Sequence, residues 1–314
     1  MESSMRQALV IFRYEVYTMP INLPDGSPNI EKILKNENVF TLTDFLAKKQ
    51  DIRPLDVLVC NITPTEVVNT QLLRLISNTP LQVDVTMLKI SSPLTDSTFN
   101  LSDPFPYRSF DEIKDRYFDG VIIACDPVND SLEEGSESWR EIKNIIDWTD
   151  THVRSTLYFC WGAQVGLHYK YGISRHPCKK AFGIFEHNVI FAENELVRGF
   201  DEKFKAPHFK HTEIKTDEVF AIKELEILTT SKEVGIHTIV SKDKRNVFVL
   251  GNSEYDYGSH KGNDVFNDAS VSEFFGNLFD GAIKPSNTWR AHLHLLFSNW
   301  INYFVYQPLS LVIE

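Results

Sequence analysis

Long apolar runs are missing from this chain. No uninterrupted hydrophobic stretch approaches the roughly 18 residues that a membrane-spanning helix needs. Residues 1–18 also lack a cationic segment followed by a long apolar stretch, so no secretory signal peptide is predicted. We therefore expect a cytoplasmic protein with no membrane partner.

Cysteine is scarce as well. The four cysteines, Cys60, Cys125, Cys160 and Cys178, form no CxxC pair and have no metal-type spacing with histidine. Reduced thiols fit a cytoplasmic location, and we predict no metal site and no bound cofactor. Cys60 and Cys125 lie inside apolar runs, where cysteine usually behaves as a small buried hydrophobe.

Positive charge is in deficit, with 32 Lys and Arg residues against 43 Asp and Glu residues and a net charge of −11. The densest basic cluster, Arg175 with Lys179 and Lys180, is too short to form an electrostatic footprint for phosphates. A nucleic-acid partner is therefore not expected. Repeats and low-complexity segments are also absent, and a 42% hydrophobic content is enough for a packed core.

The chain contains short apolar strands that alternate with helical patterns. This alternation predicts an α/β protein with an open, doubly wound, mostly parallel sheet. Residues 1–18 are interpreted as an N-terminal extension and residues 19–314 as a single domain. The predicted strands are 55–60, 81–88, 120–124, 156–159, 189–191, 235–240 and 247–250, and the predicted helices are 30–36, 65–77, 110–116, 139–148, 161–171 and 289–306.

One strand, residues 156–159, runs directly into Cys160, and a helical pattern begins at once with Trp161 and Gly162. An abrupt strand-to-helix turn is the geometry of a nucleophile elbow, and the small Gly162 allows the close turn. The positive end of the following helix favours thiolate over thiol. A buried core cysteine would fit the same segment, so the pattern alone leaves both interpretations open.

A thiolate nucleophile normally works with a base, and another strand end in the same sheet is the natural place for it. Strand 247–250 is followed by Asn252, Ser253 and Glu254. Glu254 is therefore a candidate catalytic carboxylate, although a solvated loop carboxylate would fit the sequence equally well.

Several longer segments resemble the homoserine O-succinyltransferase family, which has a fold similar to that of class I glutamine amidotransferases. The resemblance covers nearly the whole chain from Met19 onward. The segments that carry it are 37–40 (ENVF), 50–55 (QDIRPL), 71–83 (QLLRLISNTPLQV), 118–120 (FDG), 159–161 (FCW), 182–187 (FGIFEH), 198–201 (RGFD), 206–208 (APH) and 295–303 (LLFSNWINY).

The resemblance implies a chemistry. Members of that family take an acyl group from succinyl- or acetyl-CoA onto a cysteine and pass it to the homoserine hydroxyl. By resemblance, Cys160 is the acyl-thioester nucleophile, Lys180 matches a substrate-binding lysine, and Glu254 matches the catalytic glutamate. An acyl-CoA or other acyl thioester would be the co-substrate, and a homodimer is expected.

Two departures from the family pattern concern the reacting groups. The family reads Gly-His-Pro-Glu-Tyr-Asp after the second strand, with histidine as the base, whereas this chain has Asn252 at the histidine position. An amide is not basic and cannot take that proton. Asp126 falls in the loop that helps to hold the oxyanion next to Trp161, and its negative charge would be unfavourable there unless it points away.

The remaining departures concern substrate recognition. A family serine that contacts the substrate is Phe209 here, and the arginine that holds the amino-acid carboxylate falls at Phe266 or Asn267. Neither side chain can form a bidentate pair with a carboxylate. The position linked by resemblance to donor choice, glycine for succinyl and glutamate for acetyl, is Asn129.

Histidines offer weaker alternatives. His260 follows Glu254 in a glycine-containing loop and could supply a displaced base. His208 with His211, and His292 with His294, are pairs at short spacing, but no third metal ligand is near either pair in sequence.

Three functions remain open from the sequence. The first is a cysteine-dependent acyltransferase whose acceptor is not homoserine, because the carboxylate-binding arginine is missing. The second is homoserine O-acylation in methionine biosynthesis at reduced efficiency, for which Asn252→His would restore only proton transfer. The third is a non-catalytic binding relative, against which Cys160, Lys180 and Glu254 argue.

Overall fold

The computed structural model describes residues 21–36, 39, 41–48, 53–62, 66–90, 105–125, 135–254 and 287–306. The predicted extension, residues 1–18, lies outside these ranges. The described strands are β1 (Ile21–Leu23), β2 (Thr41–Thr43), β3 (Leu55–Asn61), β4 (Val83–Leu88), β5 (Tyr107–Arg108), β6 (Phe118–Cys125), β7 (Val153–Cys160), β8 (His176–Val189), β9 (Lys203–Glu213), β10 (Leu225–Ser231), β11 (Gly235–Ser241) and β12 (Asn246–Val249).

Helices connect most of the strands in the first half of the chain. They are α1 (Pro28–Asn36), α2 (Asp44–Ala47), α3 (Glu66–Ile76), α4 (Phe110–Ile113), α5 (Glu137–His152), α6 (Trp161–Tyr171), α7 (Thr216–Phe220) and α8 (Arg290–Trp300). A π-helical segment, Ile301–Val305, continues α8, and a short 3-10 turn spans Glu195–Val197.

All the described strands belong to one sheet in the order β2-β1-β4-β3-β6-β7-β12-β11-β10-β8-β9, with β5 paired to β4. Every neighbouring pair from β2 to β12 is parallel, and every pair from β12 to β9 is antiparallel. The predicted α/β fold with an open, doubly wound, mostly parallel sheet is confirmed, and the second half of the chain extends that sheet.

Strands β3, β6 and β7 lie at the centre of the sheet, and both of their faces are covered. Nearly every residue in these three strands is buried, with side chains such as Leu58, Ile122 and Leu157 fully enclosed. A parallel sheet covered on both faces requires such continuous apolar runs. These runs made the central strands recognisable in the sequence.

The hairpin formed by β8 and β9 differs from the prediction. A strand at 189–191 was expected, but β8 starts at His176 and ends at Val189. Ile190 and Phe191 follow the strand and are 51% and 38% exposed. The prediction was wrong because most of β8 is half-exposed on both faces, so it has no alternating hydrophobic pattern.

The sheet places two strand ends side by side. β12 is parallel to β7, and Val249 pairs with Phe159. The residues that follow each strand, Cys160 and the 250–254 segment, therefore emerge at the same carboxyl edge of the sheet. This edge is where open α/β sheets bind their ligands, and the predicted neighbourhood of Cys160 and Glu254 is confirmed at the level of the backbone.

Candidate active site

Cys160 occupies a strained turn between β7 and α6. Its backbone has φ 56° and ψ −124°, and the helix begins at the next residue, Trp161. A non-glycine residue with positive φ in a sparsely populated region costs about 1–3 kcal/mol and persists only where the surrounding structure imposes it. The expected abrupt strand-to-helix turn at Cys160 is confirmed, and the Cys160 side chain is only 5% exposed.

The elbow depends on Gly162, whose backbone lies against β6. A Cβ atom at this position would be 2.6 Å from the carbonyl oxygen of Ile123 and 3.6 Å from Cα of Ala124. The obstacle is backbone at the centre of the sheet, which cannot move aside. Gly162 therefore allows α6 to start close to the sheet, with its first turn next to Cys160.

We expect Gly162→Ala to lower the free energy of unfolding by about 1–3 kcal/mol, because an inserted methyl group in a closely packed core forces backbone shifts. Urea unfolding followed by circular dichroism would measure this change. A variant as stable as the wild type would show that α6 can move away from β6 without cost.

Asn252 contacts the sulfur of Cys160. Its side-chain Nδ2 lies 2.6 Å from Cys160 Sγ, and its Oδ1 accepts a hydrogen bond of 2.9 Å from the backbone N–H of Phe209. Its own backbone N–H donates to the carbonyl of Pro207 at 2.8 Å. Because Phe209 donates to Oδ1, the amide must present its N–H₂ group to the sulfur, so Asn252 is a hydrogen-bond donor to Cys160.

The other predicted site residues surround this pair at different depths. Glu254 is buried, 4% exposed, and follows β12 in the same segment as Asn252. Trp161 is buried at the start of α6, with the Arg175 guanidinium 5.0 Å from its ring centroid. Phe209 is buried beside Asn252.

Lys180 lies on β8. It is exposed, and its Nζ lies 5.4 Å from the ring centroid of Phe182. The Phe182 ring in turn lies 6.2 Å from the ring of Phe209. Lys180 is thus connected to the Cys160 cleft through two aromatic rings. The remaining predicted residues, Asp126, Asn129, His260, Phe266 and Asn267, lie outside the described residues.

A narrow cleft opens over Cys160 and is lined by side chains from four elements. The lining residues are Cys160, Trp161, Gln164, Phe209, Lys210, His211, Thr212, Leu250 and Asn252. Gln164 follows Cys160 by one helical turn and accepts a 2.8 Å hydrogen bond from the Thr212 hydroxyl. Sequence reasoning did not assign Gln164, Thr212 or His211 to the nucleophile's site.

One sequence signal could have located His211. Side chains two residues apart in a strand lie on the same face, and Phe209 was already a candidate substrate contact. Applying that period to β9 would have placed His211 beside the cleft.

Three buried histidines form a cluster on strands β8, β9 and β11. His187 and His208 share a 2.9 Å contact between their Nε2 atoms, and the His237 ring lies 4.8 Å from the His187 ring. His237 packs against Gly251, where a Cβ atom would come within 2.8 Å of its ring. The cluster fixes the backbone immediately before Asn252.

Burial keeps this histidine cluster neutral. Loss of solvation lowers the pKa of His187 to about 4 and lowers the pKa values of His208 and His237 well below their usual range. Lys210, whose Nζ donates to the carbonyl of Val234, adds a repulsive positive charge, and burial lowers its own pKa as well.

We expect stability to fall as the pH drops from about 6.5 towards 4. In this window the unfolded histidines bind protons, whereas the native cluster does not, and each such histidine removes up to about 1.4 kcal/mol per pH unit. Thermal unfolding between pH 7.5 and pH 4.5 would measure the slope. His187→Gln should flatten it, and His152→Gln, at the C-terminus of α5, should not.

A thermal midpoint that does not change with pH across this window would contradict the buried neutral cluster. Glu186 and Glu218 also have altered pKa values, which are lowered. They do not affect this measurement, because their contribution to folding stability is lost only below their ordinary range near pH 4.5.

The other cysteines are poor nucleophiles. Cys60 and Cys125 are buried as expected, and burial raises the pKa of the Cys60 thiol to about 12. Partial burial raises the pKa of Cys178, and the positive charge that opposes this shift comes from Lys210.

The histidine pairs considered as metal ligands separate in the structure. His208 contacts His187, His292 contacts Asp201 at 3.2 Å, and His294 contacts Arg74 at 3.1 Å. Within the described ranges, no group of three or more His, Cys, Asp or Glu side chains could hold a metal ion. No helix in the described part of the chain combines the length and apolar character that crossing a bilayer would require.

Comparison with known proteins gives a consistent result. The family model for homoserine O-succinyltransferase matches residues 20–311. A homoserine O-acetyltransferase from Petrotoga mobilis is 44% identical over 303 residues, which cover 92% of this chain and 96% of that protein. Another from Bacillus subtilis is 42% identical over 295 residues, covering 92% of this chain and 98% of that protein.

A solved structure supports the fold. A glutamine amidotransferase from Thermotoga maritima aligns with a TM-score of 0.52 over 81% of this chain and 100% of that chain, at 13% sequence identity. At this level of identity the likeness concerns the fold alone, and it agrees with the resemblance to glutamine amidotransferases expected from the sequence.

Proposed function

Because the chain belongs to the homoserine O-succinyltransferase family, we propose that this acyltransferase acylates the hydroxyl of homoserine and carries the acyl group on Cys160. The sequence analysis favoured an acceptor other than homoserine. The relatives favour homoserine itself, since proteins 42–44% identical over nearly the whole chain are named homoserine O-acetyltransferase. The same names favour acetyl as the acyl group.

The observation that carries the proposal is the arrangement around Cys160 Sγ. The sulfur lies at a strained elbow, at the N-terminus of an eleven-residue helix, and opposite the Asn252 amide. A helix N-terminus and an N–H donor both stabilise negative charge on sulfur. Asn252 therefore stabilises the Cys160 thiolate by donating a hydrogen bond to it. It does not act as a base that accepts the proton of the thiol.

In the first half-reaction, the Cys160 thiolate attacks the carbonyl carbon of the acyl thioester. An S–C bond forms, the carbonyl oxygen takes up negative charge, and collapse of this intermediate breaks the bond to the CoA sulfur. The backbone N–H of Trp161 is one of the first N–H groups of α6, which have no intrahelical partner, and it would donate to that oxygen.

In the second half-reaction, the acceptor hydroxyl oxygen attacks the carbonyl carbon of the Cys160 thioester. The hydroxyl proton is removed as the new C–O bond forms, and the Cys160 thiolate leaves. Asn252 is positioned to stabilise the departing thiolate because its N–H₂ group already faces the sulfur. Glu254 is buried in the same segment as Asn252.

Purified protein incubated with acetyl-CoA or succinyl-CoA, with and without homoserine, tests the proposal. We expect a covalent acyl adduct on Cys160 by intact-mass and peptide spectrometry, homoserine-dependent release of CoA, and O-acylhomoserine by chromatography, fastest with acetyl-CoA. An adduct that homoserine does not discharge would favour another acceptor. No adduct with either donor would favour a non-catalytic binding relative.

A further inference from the structure

We propose that His211 removes the proton from the acceptor hydroxyl when the acyl group leaves Cys160. The inference rests on the proposed function and deepens it, because it assigns the base that Asn252 cannot be. An alcohol attacking a thioester must lose its proton to some group, and imidazole is the side chain whose ordinary protonation range lies nearest neutral pH.

His211 lies on β9, among the residues that line the cleft over Cys160. Pro177 pairs with Thr212 and Ala181 pairs with Lys210, so residues 178–180 of β8 lie opposite the single residue His211. This bulge is on β8, which leaves β9 regular across the four consecutive residues 209–212 that line the cleft. Phe209 binds the Asn252 amide through its backbone, and both Phe209 and His211 line the cleft over Cys160.

The other described histidines do not reach this cleft. His187, His208 and His237 are enclosed in the core, lie outside the cleft lining, and make contacts with one another and with neighbouring backbone and hydroxyl groups. His176 pairs with Glu218. In the described part of the chain, His211 is the one histidine among the residues that line the cleft, and it is half-buried.

Proton transfer through His211 balances over the reaction. The neutral imidazole takes the hydroxyl proton as the C–O bond forms and the C–S bond to Cys160 breaks. The resulting imidazolium then returns its proton to solvent, and the Cys160 thiolate, held by the α6 N-terminus and Asn252, is ready for the next acyl thioester. Because the thiolate is stabilised without His211, the first half-reaction should not depend on it.

The test separates the two half-reactions in His211→Gln. We expect the acyl adduct on Cys160 to form with acetyl-CoA at a rate within about threefold of the wild type, and its discharge by homoserine to slow by about 10²–10⁴-fold, the usual contribution of a general base. Rapid mixing with acetyl-CoA, followed by homoserine and intact-mass spectrometry, gives both rates. His152→Gln, at the opposite end of β7, is the matched control.

Discharge of His211→Gln within about threefold of the wild type would overturn the inference while leaving the proposed function intact. Equal loss of both half-reactions in a folded variant would also overturn it. If His211→Gln fails to fold, His211→Ala with added imidazole provides the second test: we expect imidazole to restore discharge, and no restoration would count against His211. A wild-type protein that homoserine cannot discharge would instead refute the proposed function.

Discussion

A Cys160→Ala variant is expected to lose acyl transfer by at least about 10⁴-fold, because the covalent route disappears with the sulfur. Removing the nucleophile of a well-studied covalent enzyme costs on the order of 10⁶ in kcat. The variant should stay folded, since alanine removes only one atom from the buried elbow and leaves the backbone unchanged. Steady-state release of CoA, and the absence of an acyl adduct by intact-mass spectrometry, measure the loss.

Cys178→Ala is the matched control for this variant. Cys178 is partly exposed, but burial raises its pKa, and it lies on β8, outside the residues lining the cleft. Its loss should change activity by less than roughly twofold, as expected of a substitution away from the reacting groups. Iodoacetamide should label Cys160 before Cys178. An acyl adduct that survives in Cys160→Ala would refute the assignment of the nucleophile.

Asn252→Asp is expected to slow acylation of Cys160 by about 10²–10³-fold, the usual loss on removing one preorganised donor. The carboxylate keeps an oxygen for the Phe209 N–H, so the segment should hold its position. Its second oxygen then faces the sulfur, and two like charges at this separation disfavour the thiolate. The rate of alkylation by iodoacetamide rises with pH as the thiolate forms, and we expect this rise to occur at higher pH in the variant than in the wild type.

Asn302→Asp introduces the same charge outside the cleft, in the half-buried segment that follows α8. It should leave the pH dependence of alkylation at Cys160 unchanged. If Asn252→Asp acylates as fast as the wild type, the Asn252 amide does not stabilise the sulfur, and the thiolate depends on the helix N-terminus alone.

The strand-to-helix turn at Cys160 is a local feature, and local sequence was enough to predict it. An apolar strand that ends at Cys160, a small residue at Gly162 and a helical pattern up to Tyr171 all lie within twenty residues of one another, and the structure places α6 at the predicted Trp161–Tyr171. Propensity and periodicity act over that range. The family resemblance likewise followed from contiguous segments of the chain.

The hydrogen bonds around Cys160 were decided by tertiary structure. Asn252 is 92 residues from Cys160 and meets it only because β12 pairs with β7. The orientation of its amide is set by a third strand, through the backbone N–H of Phe209. By resemblance, the sequence analysis placed Asn252 at the position of the family's histidine, but the hydrogen bond from its amide to the Cys160 sulfur follows from the pairing of β12 with β7.

The sequence by itself therefore determined the fold class, the family and the turn at Cys160, because short apolar runs and contiguous motifs specify each of them. Only the tertiary structure decided what surrounds the sulfur of Cys160. β8 lacks an alternating pattern because it is half-exposed on both faces, and the central residues of β9 are buried on both faces, so neither the hairpin nor the position of His211 was predicted. Long-range strand pairing brought His211, Phe209 and Asn252 to one cleft, and the buried histidines are neutral because the folded core excludes water from them.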